Sequence, residues 1–238
     1  MQKDEYMGKI GIYVAEFIGT FTLILIGAGS IIVAQTMGAG AASLIAIALA
    51  HGLTIACMAS ALGAISGGHF NPAVTFAFLV SKKMNGSRAL CYMAAQLLGA
   101  IVAALALQTL FFPHLWEAAQ LGTPMLAGNV SFMQGMFIEA ILTFFLMIVI
   151  FGTAVDGRAP KVGALFIGLT ITMDILLGGP LTGAAMNPAR TFGPALMGWL
   201  GGASYNPWAG HFVYWLGPLA GASLAAWVYK TFLRERIS

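Results

Sequence analysis

The sequence predicts an all-α membrane protein with six transmembrane helices and two re-entrant half-helices, arranged as an inverted repeat. Three observations carry this. The 238 residues are 59% hydrophobic and only 8% charged, with a mean hydropathy of +0.88, too apolar to keep a soluble surface covered. Six apolar stretches are long enough to cross a hydrocarbon core of roughly 30 Å as helices. Two shorter ones each open on the same tripeptide, Asn71-Pro72-Ala73 and Asn187-Pro188-Ala189.

The expected spans are 10–34, 42–64, 88–111, 132–155, 162–177 and 208–232. The first is long and lacks a small-residue cleavage pattern, so it is read as a retained span and not a signal peptide. The fifth is the shortest. The half-spans, 71–80 and 187–200, reach only about half the required length. In each, Asn caps a helix and Pro suits its first turn. A helix therefore starts at membrane depth, which is tolerated only where the end is buried in protein or lines a cavity. The connection 113–131 carries Pro113, Gly122, Pro124 and Gly128 without clear periodicity and is expected to be an ordered extracellular loop. The whole of 1–238 reads as one domain, with repeats over about 8–112 and 131–238.

Eleven Lys and Arg residues test the topology. Lys3 and Lys9 precede span one, Lys82, Lys83 and Arg88 separate spans two and three, Arg158 and Lys161 separate four and five, and Lys230, Arg234 and Arg236 close the chain. With six spans these all fall on one side, which is expected to be cytoplasmic together with both termini. Arg190 alone lies elsewhere, directly after the second tripeptide. The small net charge of +3 and the dispersed basic residues exclude nucleic-acid binding. Cys57 and Cys91 have no metal or redox spacing and are expected to be packed thiols. No metal or cofactor is expected.

The halves overlay. Glu16-Phe17-Ile18-Gly19-Thr20-Phe21 matches Glu139-Ala140-Ile141-Leu142-Thr143-Phe144, and Ser66-Gly67-Gly68-His69-Phe70 parallels Thr182-Gly183-Ala184-Ala185-Met186. Three spans per half is an odd number, so the halves are oppositely oriented and their special segments meet at the midplane. Gly99 and Gly221 occupy equivalent places, where small residues permit close helix approach.

With both Asn-Pro-Ala boxes, the trailing Arg190, the paired Glu16 and Glu139 and the Ser-Gly-Gly-His lead-in in view, the chain resembles the aquaporin or major intrinsic protein family over nearly its whole length. The resemblance implies that the half-helices abut at Pro72 and Pro188, with Asn71 and Asn187 facing one pore. Two helix N-termini aimed at the pore centre repel cations, and the Asn amides donate to a passing water oxygen, which interrupts proton hopping along the file.

The family's narrower filter then falls on His51, Ile175, Ala184 and Arg190. This set departs from typical water-selective members, which place an aromatic at the first position and a His at the second. It resembles the filter of plant tonoplast intrinsic proteins, many of which pass ammonia or urea as well as water. Against a glycerol or small-polyol facilitator, Thr191 stands where glycerol channels place an Asp, Ala195 where they place a basic residue, and Tyr214-Trp215 fits water channels. Pro180-Leu181-Thr182-Gly183 resembles glycerol-channel text but discriminates poorly.

Other readings stand beside these. Glu16 and Glu139 are intramembrane carboxylates, which suggest a proton route, or else acceptors for backbone N–H groups of the loops leading to each half-helix. A proton-coupled secondary transporter using Glu16, Glu139, His51 and Asp174 is the different-class alternative. Asp174 has three placements open to it: paired with Arg190 or His51, facing a neighbouring subunit, or reaching the mouth. His69 is expected to brace its loop and the cytoplasmic vestibule, and His211 to be structural. No nucleophile-base or metal constellation points to an enzyme. The reading is a passive, multi-pass channel of the cell membrane for water, and for ammonia or urea beside it, assembled, as the resemblance implies, as a homotetramer in the lipid bilayer.

Overall fold

The computed structural model describes residues 2–38 and 40–233. Arg234, Arg236 and the side chains of Lys3 and Lys9, on which part of the topology expectation rests, lie outside the described residues. The described chain is helical throughout: α1 Gln2–Thr36, α2 Ala41–Ser66, α3 Pro72–Val80, α4 Gly86–Leu110, α5 Pro113–Ala118, α6 Phe132–Ile150, α7 Gly163–Thr182, α8 Pro188–Leu200 and α9 Val213–Val228. Five helices have the length and apolar character to cross a membrane, namely Ile10–Thr36, Ala42–Ser66, Gly86–Leu110, Phe132–Val155 and Gly163–Thr182. The sixth is α9, extended by a π-helical turn, Tyr229–Leu233. A second π turn, Phe151–Val155, closes the α6 span.

Where boundaries differ from the sequence reading, local hydrogen bonds give the reason. The fifth span does not stop at Leu177 but runs through Pro180 to Thr182. It ends at Gly183, whose φ of 81° no L-residue adopts cheaply and whose N–H reaches Gly179 O. The Gly178-Gly179-Pro180 stretch beyond the expected end lets neighbours in: a Cβ on Gly178 would lie 2.5 Å from Leu142. The sixth span starts at Val213 instead of 208, because Asn206 Oδ1 takes the Trp208 N–H and the chain turns at Gly210. The 113–131 connection is more regular than expected. It holds α5 and a 3₁₀ turn, Gln120–Gly122, with Pro113 at the start of α5.

The inverted repeat is visible in the packing. Helix α1 lies against α2 and α4, as α6 lies against α7 and α9; α4 holds α8, as α9 holds α3; and α2 meets its own counterpart α7 at the centre. Gly99 and Gly221 sit at the equivalent crossings: a Cβ on either would come within 2.5 Å of Phe17 O or 2.0 Å of Ala140 O. The outer faces are apolar, with Leu90, Phe137, Leu177 and Trp227 exposed, as a lipid-facing surface requires. Cys57 and Cys91 are exposed there too, not packed inside. In hydrocarbon an apolar thiol loses nothing by facing outward.

Candidate functional site

The two half-helices enter the bundle from the two repeats and meet N-terminus to N-terminus. Asn71 caps α3 by accepting the Ala73 N–H at 2.8 Å, and its Nδ2 donates to Met186 O at 2.8 Å. Asn187 caps α8 by accepting from Ala189 and Arg190 N–H groups, and its Nδ2 donates to Phe70 O at 2.9 Å. Each cap thus also binds the loop leading to the other half-helix. The carbonyls are aimed by left-handed backbone at Phe70 (φ 50°) and Met186 (φ 52°). An amide NH2 has two hydrogens, so each Asn keeps one after this cross-link.

Glu16 and Glu139, both fully buried, hold the strained loops. Glu16 accepts from Ser66 Oγ and from the His69 and Phe70 N–H groups at 2.6, 3.0 and 2.7 Å. Glu139 accepts from Thr182 Oγ1 and the Ala185 and Met186 N–H groups at 2.6, 2.9 and 2.7 Å. Both carboxylates thus accept backbone N–H groups of the loops leading to the half-helices. Outside them, the Tyr92 and Tyr214 hydroxyls donate to Ser66 O and Thr182 O. One element breaks the symmetry. Gln96 Nε2 donates to Glu16 Oε2 at 2.7 Å and to Thr75 Oγ1 at 2.9 Å, whereas Pro218 stands at the matching place in α9.

A cavity of about 320 Å³ runs past this junction. His51, Ile175, Ala184 and Arg190 all line it, as do Asn71 and Asn187 at the junction and His69, Phe78 and Val155. Apolar wall is supplied by Leu23, Ile55, Val74, Leu146, Ile150 and Ile171. Pro72, Ala73, Pro188 and Ala189 are buried behind the two Asn residues and shape the helix starts. Arg190, 3% exposed, donates through Nε to His51 Nε2 at 3.2 Å and through Nη1 to Gly122 O at 2.7 Å. The 113–131 connection is thereby fastened to the Arg190 end. Gly183, in contrast to Gly67 and Gly68, is not among the lining residues, and Ala184 takes its place.

A family model described as Major intrinsic protein matches residues 5–229. The chain belongs to the major intrinsic protein family. Among its relatives, "Probable aquaporin TIP3-2" of Arabidopsis thaliana is 41% identical over 231 residues, covering 91% of this chain and 81% of the relative. "Aquaporin TIP4-4" of Zea mays is 40% identical over 230 residues, covering 93% and 86%. The structure of the aquaglyceroporin from Plasmodium falciparum superposes with a TM-score of 0.84 at 25% identity, covering 94% of this chain and 96% of that one.

Within this major intrinsic protein, the remaining expected residues are also placed. His69 hydrogen-bonds Thr75 Oγ1 through Nδ1 at 3.1 Å and packs on Phe78 and Tyr92 beside the cavity. His211 accepts from Trp215 Nε1 and packs on Trp208, away from the cavity. Asp174, 2% exposed, pairs with neither Arg190 nor His51 and does not line the cavity, and its Oδ2 has no partner among the described residues. A relay of Glu16, Glu139, His51 and Asp174 is therefore not assembled. Sequence reasoning missed Gly122 and Gln96. Gly122 acts through a backbone carbonyl that any residue carries, while Gln96, a lone buried polar residue in span three, was a signal that could have been used.

Proposed function

We propose that the chain is a passive transmembrane water channel whose filter also admits ammonia or urea. One observation carries the reading: both capping Asn side chains and the quartet His51, Ile175, Ala184 and Arg190 line a single cavity between abutting half-helices. Asn71 and Asn187 orient the permeant with their remaining amide hydrogens, and the two helix N-termini oppose cations there. Arg190 and His51 supply hydrogen bonds at the filter, and Ile175 and Ala184 set its width. Burial of a guanidinium at membrane depth is costly without a water-filled path beside it. No chemical step is involved.

The glycerol reading is weaker: Thr191 and Ala195 are fully buried and uncharged where a polyol channel would carry an acid and a base. The basic side faces the cytoplasm by the positive-inside rule, whether the membrane is the cell membrane or, as the filter likeness suggests, a vacuolar one. A homotetramer with one pore per subunit follows from the family resemblance. Stopped-flow light scattering on proteoliposomes, with water, urea, ammonia and glycerol in parallel and a pH-sensitive dye inside, tests the function. We expect fast osmotic flux without proton movement. Flux no faster than in empty liposomes would sink the channel, and solute-coupled proton entry would favour the transporter.

A further inference from the structure

A second cavity, about 540 Å³ and larger than the first, opens at the lysine-bearing end of the bundle. It is lined from three elements: the α3–α4 turn with Lys82 and Lys83, the α6–α7 connection with Asp156 and Arg158, and the π-helical end of the last span with Tyr229 and Lys230. Asp156 is already engaged, by Arg158 and by the Tyr229 hydroxyl at 2.7 Å. Hydrogen bonds from Arg158 foremost, and then from Tyr229, hold its carboxyl below the usual carboxylate range. No described carboxylate pairs with Lys82, Lys83 or Lys230, and all three lysines line one concave space.

The backbone gives an independent observation. Lys82 has φ 59° and sits where α3 closes, with Phe78 O accepting the N–H groups of Lys83 and Met84. That closing position ordinarily favours Gly, because a side chain there is strained. A lysine held in such a conformation beside a cavity is a candidate for function. Both π-helical turns of the described chain, Phe151–Val155 and Tyr229–Leu233, also border this space, and π turns concentrate at functional sites. The two cavities share a wall residue. Val155 lines both, and Phe151 stacks on Phe78 on one side and on Tyr229 on the other, at ring separations of 5.7 and 5.6 Å.

We propose that this cavity binds a phosphate-bearing anion, a lipid headgroup or a soluble phosphate compound, and that its occupancy is felt at the adjoining end of the pore through Val155 and the Phe78–Phe151–Tyr229 stack. A compact group with up to two charges suits a concave space lined by three lysines. Basic residues next to a bilayer attract anionic headgroups. The binding half stands by itself; the coupling half rests on the channel reading.

The test uses the full chain. Native mass spectrometry measures retention of phosphatidylglycerol against phosphatidylcholine, and a thermal-shift assay in neutral detergent measures the response to inorganic pyrophosphate. Preferential retention of phosphatidylglycerol assigns the membrane as source, and a pyrophosphate shift alone assigns the solution. Lys82→Gly relieves the backbone, so it is expected to fold at least as stably as the parent while weakening the preferred anion on the order of fivefold; Lys83→Gln and Lys230→Gln should each do the same. Equal retention of the two lipids with no pyrophosphate shift, or a preference that survives all three substitutions, overturns the site. Osmotic flux that differs between neutral and phosphatidylglycerol-containing vesicles, or with pyrophosphate present, supports the coupling if the triple variant loses the difference. Anion binding without any such difference overturns the coupling. Anion binding by a chain that conducts no water overturns the channel and leaves the site standing.

Discussion

Arg190 Nε donates to His51 Nε2 across 3.2 Å, joining α8 of the second repeat to α2 of the first. His51 Nδ1 faces Ile47 O at 2.8 Å. A neutral ring that donates from Nδ1 and accepts at Nε2 satisfies both contacts, so the partners select the tautomer. The proposed filter therefore contains a hydrogen-bonded pair, with Arg190 Nη1 anchored on Gly122 O. In the proposed channel its remaining N–H groups would serve the permeant.

His51→Ala tests that pair. It leaves Arg190 Nε without its partner, at a stability cost of about 1–3 kcal/mol for an unsatisfied buried donor, and removes a ring from the cavity wall. Urea and ammonia flux should rise relative to water flux. Ile175→His should do the reverse, reducing urea or ammonia flux more than water flux. Parallel stopped-flow measurements give the ratios, and ratios unchanged in both variants would count against the filter assignment.

Glu16→Gln and Glu139→Gln place an amide among groups that all donate. Each should lower stability by about 3 kcal/mol, the upper range for hydrogen bonds to a charged group, read as a lower thermal midpoint in detergent. Only Glu16 also receives Gln96. Gln96→Met should therefore couple energetically to Glu16→Gln in a double-mutant cycle and be additive with Glu139→Gln. Coupling of equal size to both would mean that Gln96 acts through general packing.

The extent to which the sequence was legible follows from this division of labour. Asn71, Asn187, Glu16 and Glu139 were found because one side chain does one local job, capping or collecting N–H groups, and the repeat prints it twice. The Arg190–Gly122 contact was not, since a carbonyl leaves no mark in residue identity. The loop holding it read as irregular because its helix is only six residues long, too short for periodicity. The ends of α7 and α9 were misjudged for a related reason. Gly-Gly-Pro near 178–180 signals a break in water, but inside a bundle it admits Leu142 and Leu44 while the helix continues.

Ala184 and Gly68 occupy equivalent places, and both are left-handed, with φ 44° and 66°. Only the first carries a side chain. Gly68→Ala should destabilise by about 1 kcal/mol, since its Cβ would make only ordinary contacts, at 3.4 Å and beyond, and the cost is conformational. Ala184→Gly should be neutral or stabilising by up to about 1 kcal/mol, the relief being partly offset by glycine's entropy. It should also widen the filter. Thermal midpoints shifting in the same direction for the two variants would contradict the backbone argument.

Gly221→Ala probes the close crossing of α6 and α9. The added methyl would lie 2.0 Å from Ala140 O, so the helices must separate, at about 1–3 kcal/mol for overpacking. Gly11→Ala, with nothing within 4 Å of the added Cβ, is the control and should be neutral or slightly stabilising. A Gly221 variant as stable as the Gly11 variant would show that the crossing relaxes freely.

Asp174 separates the channel from the transporter. Its side chain is 2% exposed, its Oδ2 has no partner among the described residues, and it lies outside the cavity wall. At that burial the single chain leaves almost none of it for a neighbouring subunit to cover. An unpartnered buried carboxyl costs stability, about 1–3 kcal/mol on protein mutational scales, and Leu has a similar volume without that cost. Asp174→Leu should accordingly raise the thermal midpoint and leave osmotic water flux unchanged, because water would never meet the residue. A proton relay would require the opposite: the substitution would abolish transport whatever it did to stability. Reconstituting the Leu and Asn variants side by side, with flux and pH dye recorded together, distinguishes the two. Loss of flux in a variant that is more stable than the parent would return Asp174 to the permeation path.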